Sequence, residues 1–363
     1  MLRRVAIPLG CLLVLALGAG GFAWWWTTPP PEPAPPDVSP ELPSGVPTTI
    51  AAANFQVSGP YNHGNLTVFL VHGTDQLQGK SFLTLDEALE QKKFIVHETQ
   101  SVNQLEMENV SASEEVLILS GDIFKGGQQD RISQYDLVIP PQSGRIPLPA
   151  FCVEHTAPRW MRQKTAKDAT FAESRGVVAS NSTRLAARYY RSQGDVWDSV
   201  AGLQGKLSHN VGASVKSPES DSSLALSLSA NEVQDAADKH IAVLEKIPEG
   251  KSDVIGMAFA INGKLVAADV LGSAELFRKV WPKLLRAAAI EAVAELQKDK
   301  TFDPVAVELA KAFLEAPEQG KAVRQDTGSG MHQNQSEAAG SVLFETIDHR
   351  DGQAMIRRNY CAR

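Results

Sequence analysis

Cysteine is nearly absent from this chain of 363 residues: only three occur, at positions 11, 152 and 361. That is too few for a disulfide framework, and no Cys-x-x-Cys pair marks a structural zinc site. The eight histidines are scattered and form neither His-x-x-x-His nor His-Glu-x-x-His, so the sequence carries no metal motif and implies no metal or other cofactor. Lysine and arginine, 35 against 42 acidic residues, leave a formal net charge of −7. With no basic stripe to neutralise phosphates, nucleic acid is excluded as a partner. Neither a Gly-x-Ser-x-Gly elbow, nor a P-loop, nor a dinucleotide fingerprint occurs, which removes the commonest hydrolase and nucleotide signatures.

What is present begins with an uncharged run. After Arg3 and Arg4, about 22 residues ending in Trp24, Trp25 and Trp26 carry no charge, and roughly 20 apolar residues suffice to cross a bilayer as helix. The tryptophans sit where an interfacial belt would be, and the arginines favour a cytoplasmic start. The expectation is a single-pass signal anchor over 1–26 with the lipid bilayer as its partner. A proline-rich stalk over 27–53 follows, then an extracytoplasmic globular region over 54–363. Cleavage as a signal peptide, which would give a secreted protein, is the alternative.

Within 54–363 the expected class is α+β. Residues 54–160 form a β-rich part of short alternating runs such as "LTVFLVHG" and "EVLIL", interrupted by one helix capped by Thr84 and Glu87. Residues 161–250 form a helical part, broken near Gly194 and restarted by a second Ser229/Glu232 capping box. Residues 251–363 read as hairpin–helix–hairpin. "VIGMAFAINGKLVAADVLG" turns at Asn262-Gly263 and is apolar on both faces, so it belongs in the middle of a covered sheet. The helix after it contains Pro282, which should kink it or begin a second helix, and Asp303-Pro304 should start another. A polar loop over 324–340 then leads to a hairpin turned at Asp351-Gly352.

The candidate site is "GDIFKGGQQDR". Lys125, Gly126, Gly127, Gln129 and Arg131 are either a plain turn between strands or an anion nest of backbone N–H groups with added positive charge. "FCVEHTAPRW" supplies Glu154 and Arg159, a salt bridge at a strand end or further ligand contacts, and Trp160, a core residue or a stacking surface. Cys152 is a buried thiol, half of a disulfide with Cys361, or a reactive group. Trp281, Pro282, Lys283 and Arg286 read as a packed tryptophan with its basic neighbours in water.

These stretches, together with "TLDEAL", "VIPPQS" and "AINGKLVAADVLGSAELFRKVWPKLLR", resemble the ARG and Rhodanese-Phosphatase-superfamily-associated protein domain, a family of uncharacterised function. The likeness covers most of the region after the stalk and maps the family's acid, Gly-Gly and Gln-x-Arg pattern onto Asp122, Gly126, Gly127, Gln129 and Arg131. The family's name implies genomic neighbours that include ADP-ribosylglycohydrolases and phosphatases. The residues themselves favour a ligand-binding or protein-interaction module for an anionic or polar group. The resemblance adds the alternative of a hydrolase acting on a phosphate- or ADP-ribose-like group, with Asp122 and Glu154 as acid and base.

Overall fold

The Asn262-Gly263 turn sets the centre of the fold. Both residues take left-handed φ, 53° and 76°, as a two-residue hairpin requires, and they fold Val254–Ile261 back onto Lys264–Leu271. The computed structural model describes residues 45–155 and 171–363, except positions 78, 100, 102, 339 and 351 and the side chains of 172–175.

Among these residues one nine-stranded antiparallel sheet dominates. Its order is β1 (Val46–Thr48), β15 (Ala322–Gly328), β16 (Met331–Ala338), β17 (Ser341–Asp348), β18 (Ala354–Ala362), β14 (Lys264–Leu271), β13 (Val254–Ile261), β3 (Leu66–His72) and β2 (Gln56–His63). A six-stranded sheet runs β12 (Phe171–Val178), β8 (Asp122–Gly126), β9 (Arg131–Ser133), β11 (Ile146–Cys152), β6 (Gln104–Asn109) and β5 (Phe94–Glu98). Three short strands, β10 (Leu137–Ile139), β7 (Glu115–Ile118) and β4 (Phe82–Thr84), form the third sheet.

The helices are α1 (Leu85–Glu90), α2 (Asn181–Leu185), α3 (Gln193–Val211), α4 (Leu224–Leu228), α5 (Asn231–Leu244), α6 (Ala274–Ala294) and α7 (Val307–Glu318), with a π-helical turn over Ala186–Tyr190. Both faces of β13 are covered, as its unbroken apolar run predicts. Met257, Phe259 and Ile261 pack with Phe277, Trp281 and Leu284 of α6. Ala258 and Ala260 pack into a second cluster with Ala310 and Leu314 of α7.

The α+β class, the β-rich front and the helices of the middle part agree with the sequence; several local expectations do not. The single-pass reading is corrected. Among the described residues no helix is long and apolar enough to cross a membrane, and the segment over 1–26 lies outside those residues. The signal anchor, the bilayer as partner and an extracytoplasmic location are therefore carried no further. Val46–Thr48, inside the expected stalk, pair with Ala322–Arg324 at the sheet edge, and Ile50 is buried. Residues 171–178, expected helical, are strand β12.

The Thr84/Glu87 capping box forms, whereas α5 starts after Ala230 without a side-chain cap, because Ser229 is already bonded back to the Ala225 carbonyl. Pro282 begins no second helix; α6 runs through it. The helix expected at Asp303-Pro304 starts only at Val307. The "polar loop" over 324–340 is a β-hairpin: Asn334, Gln333 and Ser336 are buried on strand β16, where polarity hid the strand signal.

A buried ionic knot ties the sheets together. Arg357 on β18 is fully buried and donates to Asp136 (Nη1–Oδ1 2.6 Å), which precedes β10, and to Asp269 on β14 (Nε–Oδ1 3.0 Å). Arg188 in the π-turn donates to the other Asp136 oxygen at 3.0 Å, and the Thr346 hydroxyl joins it at 2.7 Å. Burial alone would raise the Asp136 pKa, but Arg188 and Arg357 hold it well below the carboxylate range. Removing one member of a buried pair leaves an uncompensated charge. Arg357→Met should therefore lose about 3–5 kcal/mol of unfolding free energy in urea titrations. A loss below about 1 kcal/mol would mean that the knot is not what joins the sheets.

Candidate functional site

Two places concentrate functional side chains. The first is the glycine loop between β8 and β9, whose register pairs Phe124 with Arg131. The expected two-residue turn is a longer loop. It bends at Gly126 (φ 126°) and Gly127 (φ 60°), and alternate N–H groups along it face carboxylates. Gly126 N–H donates to Asp130 Oδ1 at 2.9 Å, Gln128 N–H to Glu98 Oε1, and Asp130 N–H to Glu154 Oε2 at 3.0 Å. Three of the loop's N–H groups are thus held by the protein's own acids.

Around them Arg131 Nη1 donates to the Gln129 carbonyl at 2.7 Å, and Gln129 Nε2 donates to the Glu154 carbonyl at 3.1 Å. The Cys152 thiol donates to Gln129 Oε1 at 3.3 Å. The Cys152 backbone is clasped by Gln193, which accepts from its N–H at 2.9 Å and donates to its carbonyl at 2.8 Å. Gly126, Gly127, Gln129, Arg131 and Glu154 are thus brought together, with Lys125 half-buried beside them opposite Ala172. Arg159 and Trp160 lie outside the described residues.

Cys152 and Cys361 are both buried thiols with no disulfide between them. Burial pushes the Cys152 thiol up to about 11 against the pull of Arg131, so it stays protonated and is a poor nucleophile. Glu98 is the unusual acid. Burial raises its carboxyl above the usual range against the Gln128 N–H and Arg131, and its Oε2 has no hydrogen-bond partner among the described residues.

The second place is a cleft of about 560 Å³ along α6, lined by Asp86, Lys279, Trp281, Lys283 and Arg286 and by Glu245 beyond the end of α5. Lys283 was expected in water. It is only 4% exposed and donates to Asp122 at 2.7 Å, with Asp86 at 3.3 Å. Burial works against its charge, but Asp122 and Asp86 outweigh it and lift the Lys283 pKa, so the ammonium is permanent. Asp122 is itself fixed by the Leu119 N–H at 2.8 Å. Asp122 is thereby paired with Lys283, and burial raises its carboxyl despite that ammonium. Trp281 packs on Phe277 and donates its indole N–H to the Glu245 carbonyl at 2.8 Å. Arg286 is half-buried and held by Gln234 and Asp238.

The residues that sequence reasoning missed are Glu98, Asp130, Gln193, Asp86 and the buried role of Lys283. For Lys283 a signal existed. It stands seven residues after Leu276 and seven before Ile290, both buried, so it shares their stripe on the helix. For Glu98, Gln193 and Asp86 contact arises between residues far apart in the chain, and no local spacing announces it; Asp130 bonds Gly126 within the loop.

The chain belongs to the ARPP-1 family, the ARG and Rhodanese-Phosphatase-superfamily-associated Protein domain, which matches residues 54–357. No curated protein and no solved structure matches it.

A Cβ at Gly127 would fall 2.2 Å from Glu98 Oε1 and 2.2 Å from the Phe171 ring, at a left-handed φ of 60°. Gly144 has the same φ with nothing within 4 Å. Gly144→Ala should therefore cost only the backbone term, about 1–2 kcal/mol. Gly127→Ala should cost at least about 2 kcal/mol more by chemical denaturation, because both neighbours must move. Equal costs for the two would show the loop to be looser than its hydrogen bonds imply.

Proposed function

We propose that this ARPP-1 family member is a binding module for a small polar ligand, seated in the cleft along α6. One arrangement carries the reading. The ammonium of Lys283, sunk below the surface and aimed by Asp122, opens with Asp86 into a concave space rimmed by Lys279 and Arg286. A fixed cation beside a half-exposed carboxylate offers a donor and an acceptor side by side, which suits a ligand oxygen that is anionic or hydroxylic. The indole of Trp281 gives the cleft an apolar wall. The glycine loop, three of whose N–H groups already serve the protein's own acids, is not the ligand's cradle in this reading.

The test is calorimetry on hits from a panel of phosphorylated, carboxylated and hydroxylated metabolites. Asp86→Asn and Arg286→Ala change partly exposed side chains and should leave the fold intact. Each should weaken a genuine ligand by at least about tenfold, the loss of one charge-assisted hydrogen bond. A panel-wide absence of binding, or a ligand indifferent to both changes, counts against the cleft.

A second reading, a hydrolase acting on a phosphate- or ADP-ribose-like group, is favoured by one observation at the loop. Glu98 keeps a proton more readily than an ordinary carboxylate and has an oxygen without a partner among the described residues, which suits a general acid. Glu154, bonded two residues along the same loop, would be the partner base. In a screen of phosphoesters and ADP-ribosyl substrates, Glu98→Gln should lower any turnover by at least about a hundredfold. Turnover that survives Glu98→Gln and Glu154→Gln would end this reading.

A further inference from the structure

A third feature lies apart from both places. His63, at the end of β2, and His240, on α5, bring their Nδ1 atoms to 3.1 Å, and His240 Nδ1 is 3.2 Å from the His63 carbonyl oxygen. The rings meet edge to face at 87°. Two nitrogens and one oxygen are therefore clustered at the spacing of ligands that share one ion. Two bonds of about 2.0–2.1 Å meeting at about 100° subtend close to this nitrogen–nitrogen distance.

Two further observations separate this pair from a mere histidine contact. The histidines form part of the wall of a depression of about 390 Å³ that also holds Asn65, Glu232 and Asp235, so an ion and its waters have room. Asn65 is 7% exposed, and its Nδ2 is committed to Asn262 Oδ1 and the Ala292 carbonyl, while its buried Oδ1 has no donor among the described residues. A buried acceptor of this kind calls for a water, and a metal-bound water is a strong donor. Among the described residues no three His, Cys, Asp or Glu side chains converge on one point, so water must complete the coordination.

We propose that His63 and His240 bind a divalent transition-metal ion of the zinc type, with the His63 carbonyl as third ligand and a bound water held by Asn65. Imidazole ligands select borderline ions over magnesium and calcium, which prefer oxygen. Glu232 and Asp235 on the depression's wall lend negative charge that offsets the ion's. The site is independent of the α6 cleft, and neither proposal requires the other.

The experiment is calorimetric titration of the full chain with zinc chloride near neutral pH, repeated with magnesium chloride. One zinc ion per chain should bind, and magnesium should not. His63→Ala alters a half-exposed side chain and should weaken zinc by at least about tenfold with an unchanged circular dichroism spectrum. His240→Ala should do the same. His332→Ala is the control, because His332 and His349 form the other close histidine pair, stacked at 4.1 Å; it should leave zinc binding unchanged. Absence of saturable zinc uptake, uptake that persists in both His63→Ala and His240→Ala, or uptake lost in His332→Ala would overturn the proposal.

Discussion

The guanidinium of Arg357 is the constraint around which the described fold is arranged. It is fully buried and cannot shed its proton, so its surroundings must supply negative charge. Asp269 does so from β14 and Asp136 from the segment just before β10, and Asp136 in turn is held by Arg188, Thr346 and the Ser120 N–H. Each demand is met by an element from another part of the chain: β18, β14, β17, the π-turn and the approach to β10. Hydrophobic burial supplies most of the stabilisation, but apolar contacts are non-directional and tolerate sliding. The ionic knot does not, because a displaced sheet would strand a charge in the core.

The same device recurs elsewhere. Lys283 is fastened to Asp122 across the junction of α6 and β8, and the glycine loop is closed by Glu98, Asp130 and Glu154. Arg358 is held by Glu318 and Glu345, and Glu318 also receives the Tyr360 hydroxyl and the Ala53 N–H. Charges used in this way are not available to a ligand. What distinguishes the α6 cleft is that its fastened ammonium still borders open space, with a half-exposed carboxylate beside it.

Regular elements were legible where one physical rule governed them. Asn262-Gly263 and the Thr84/Glu87 box each follow from local geometry, and each appears as expected. Strand β16 was illegible because its buried side chains include Gln333, Asn334 and Ser336, the first two held by hydrogen bonds to Arg188, Arg324 and Glu345. The candidate site was half legible. Gly126, Gly127, Gln129, Arg131 and Glu154 do assemble, but of the acids on the loop's N–H groups only Asp130 is local; Glu98 comes from β5 and Glu154 from beyond β11. No spacing in the sequence reports those two distant partners. Lys283 is the opposite case: its helical spacing puts it on the buried face with Leu276 and Ile290, against lysine's usual place in water.

The short strand β1 has a practical consequence. It lies across the outer side of β15, whose Val323 is exposed, and the family match begins at residue 54 and stops at 357, in the middle of β18. A fragment trimmed to those limits would lose the ribbon that pairs with β15, and with it the half of β18 that carries Arg358 and Tyr360. Bare strand margins recruit other chains. Such a truncation would therefore self-associate.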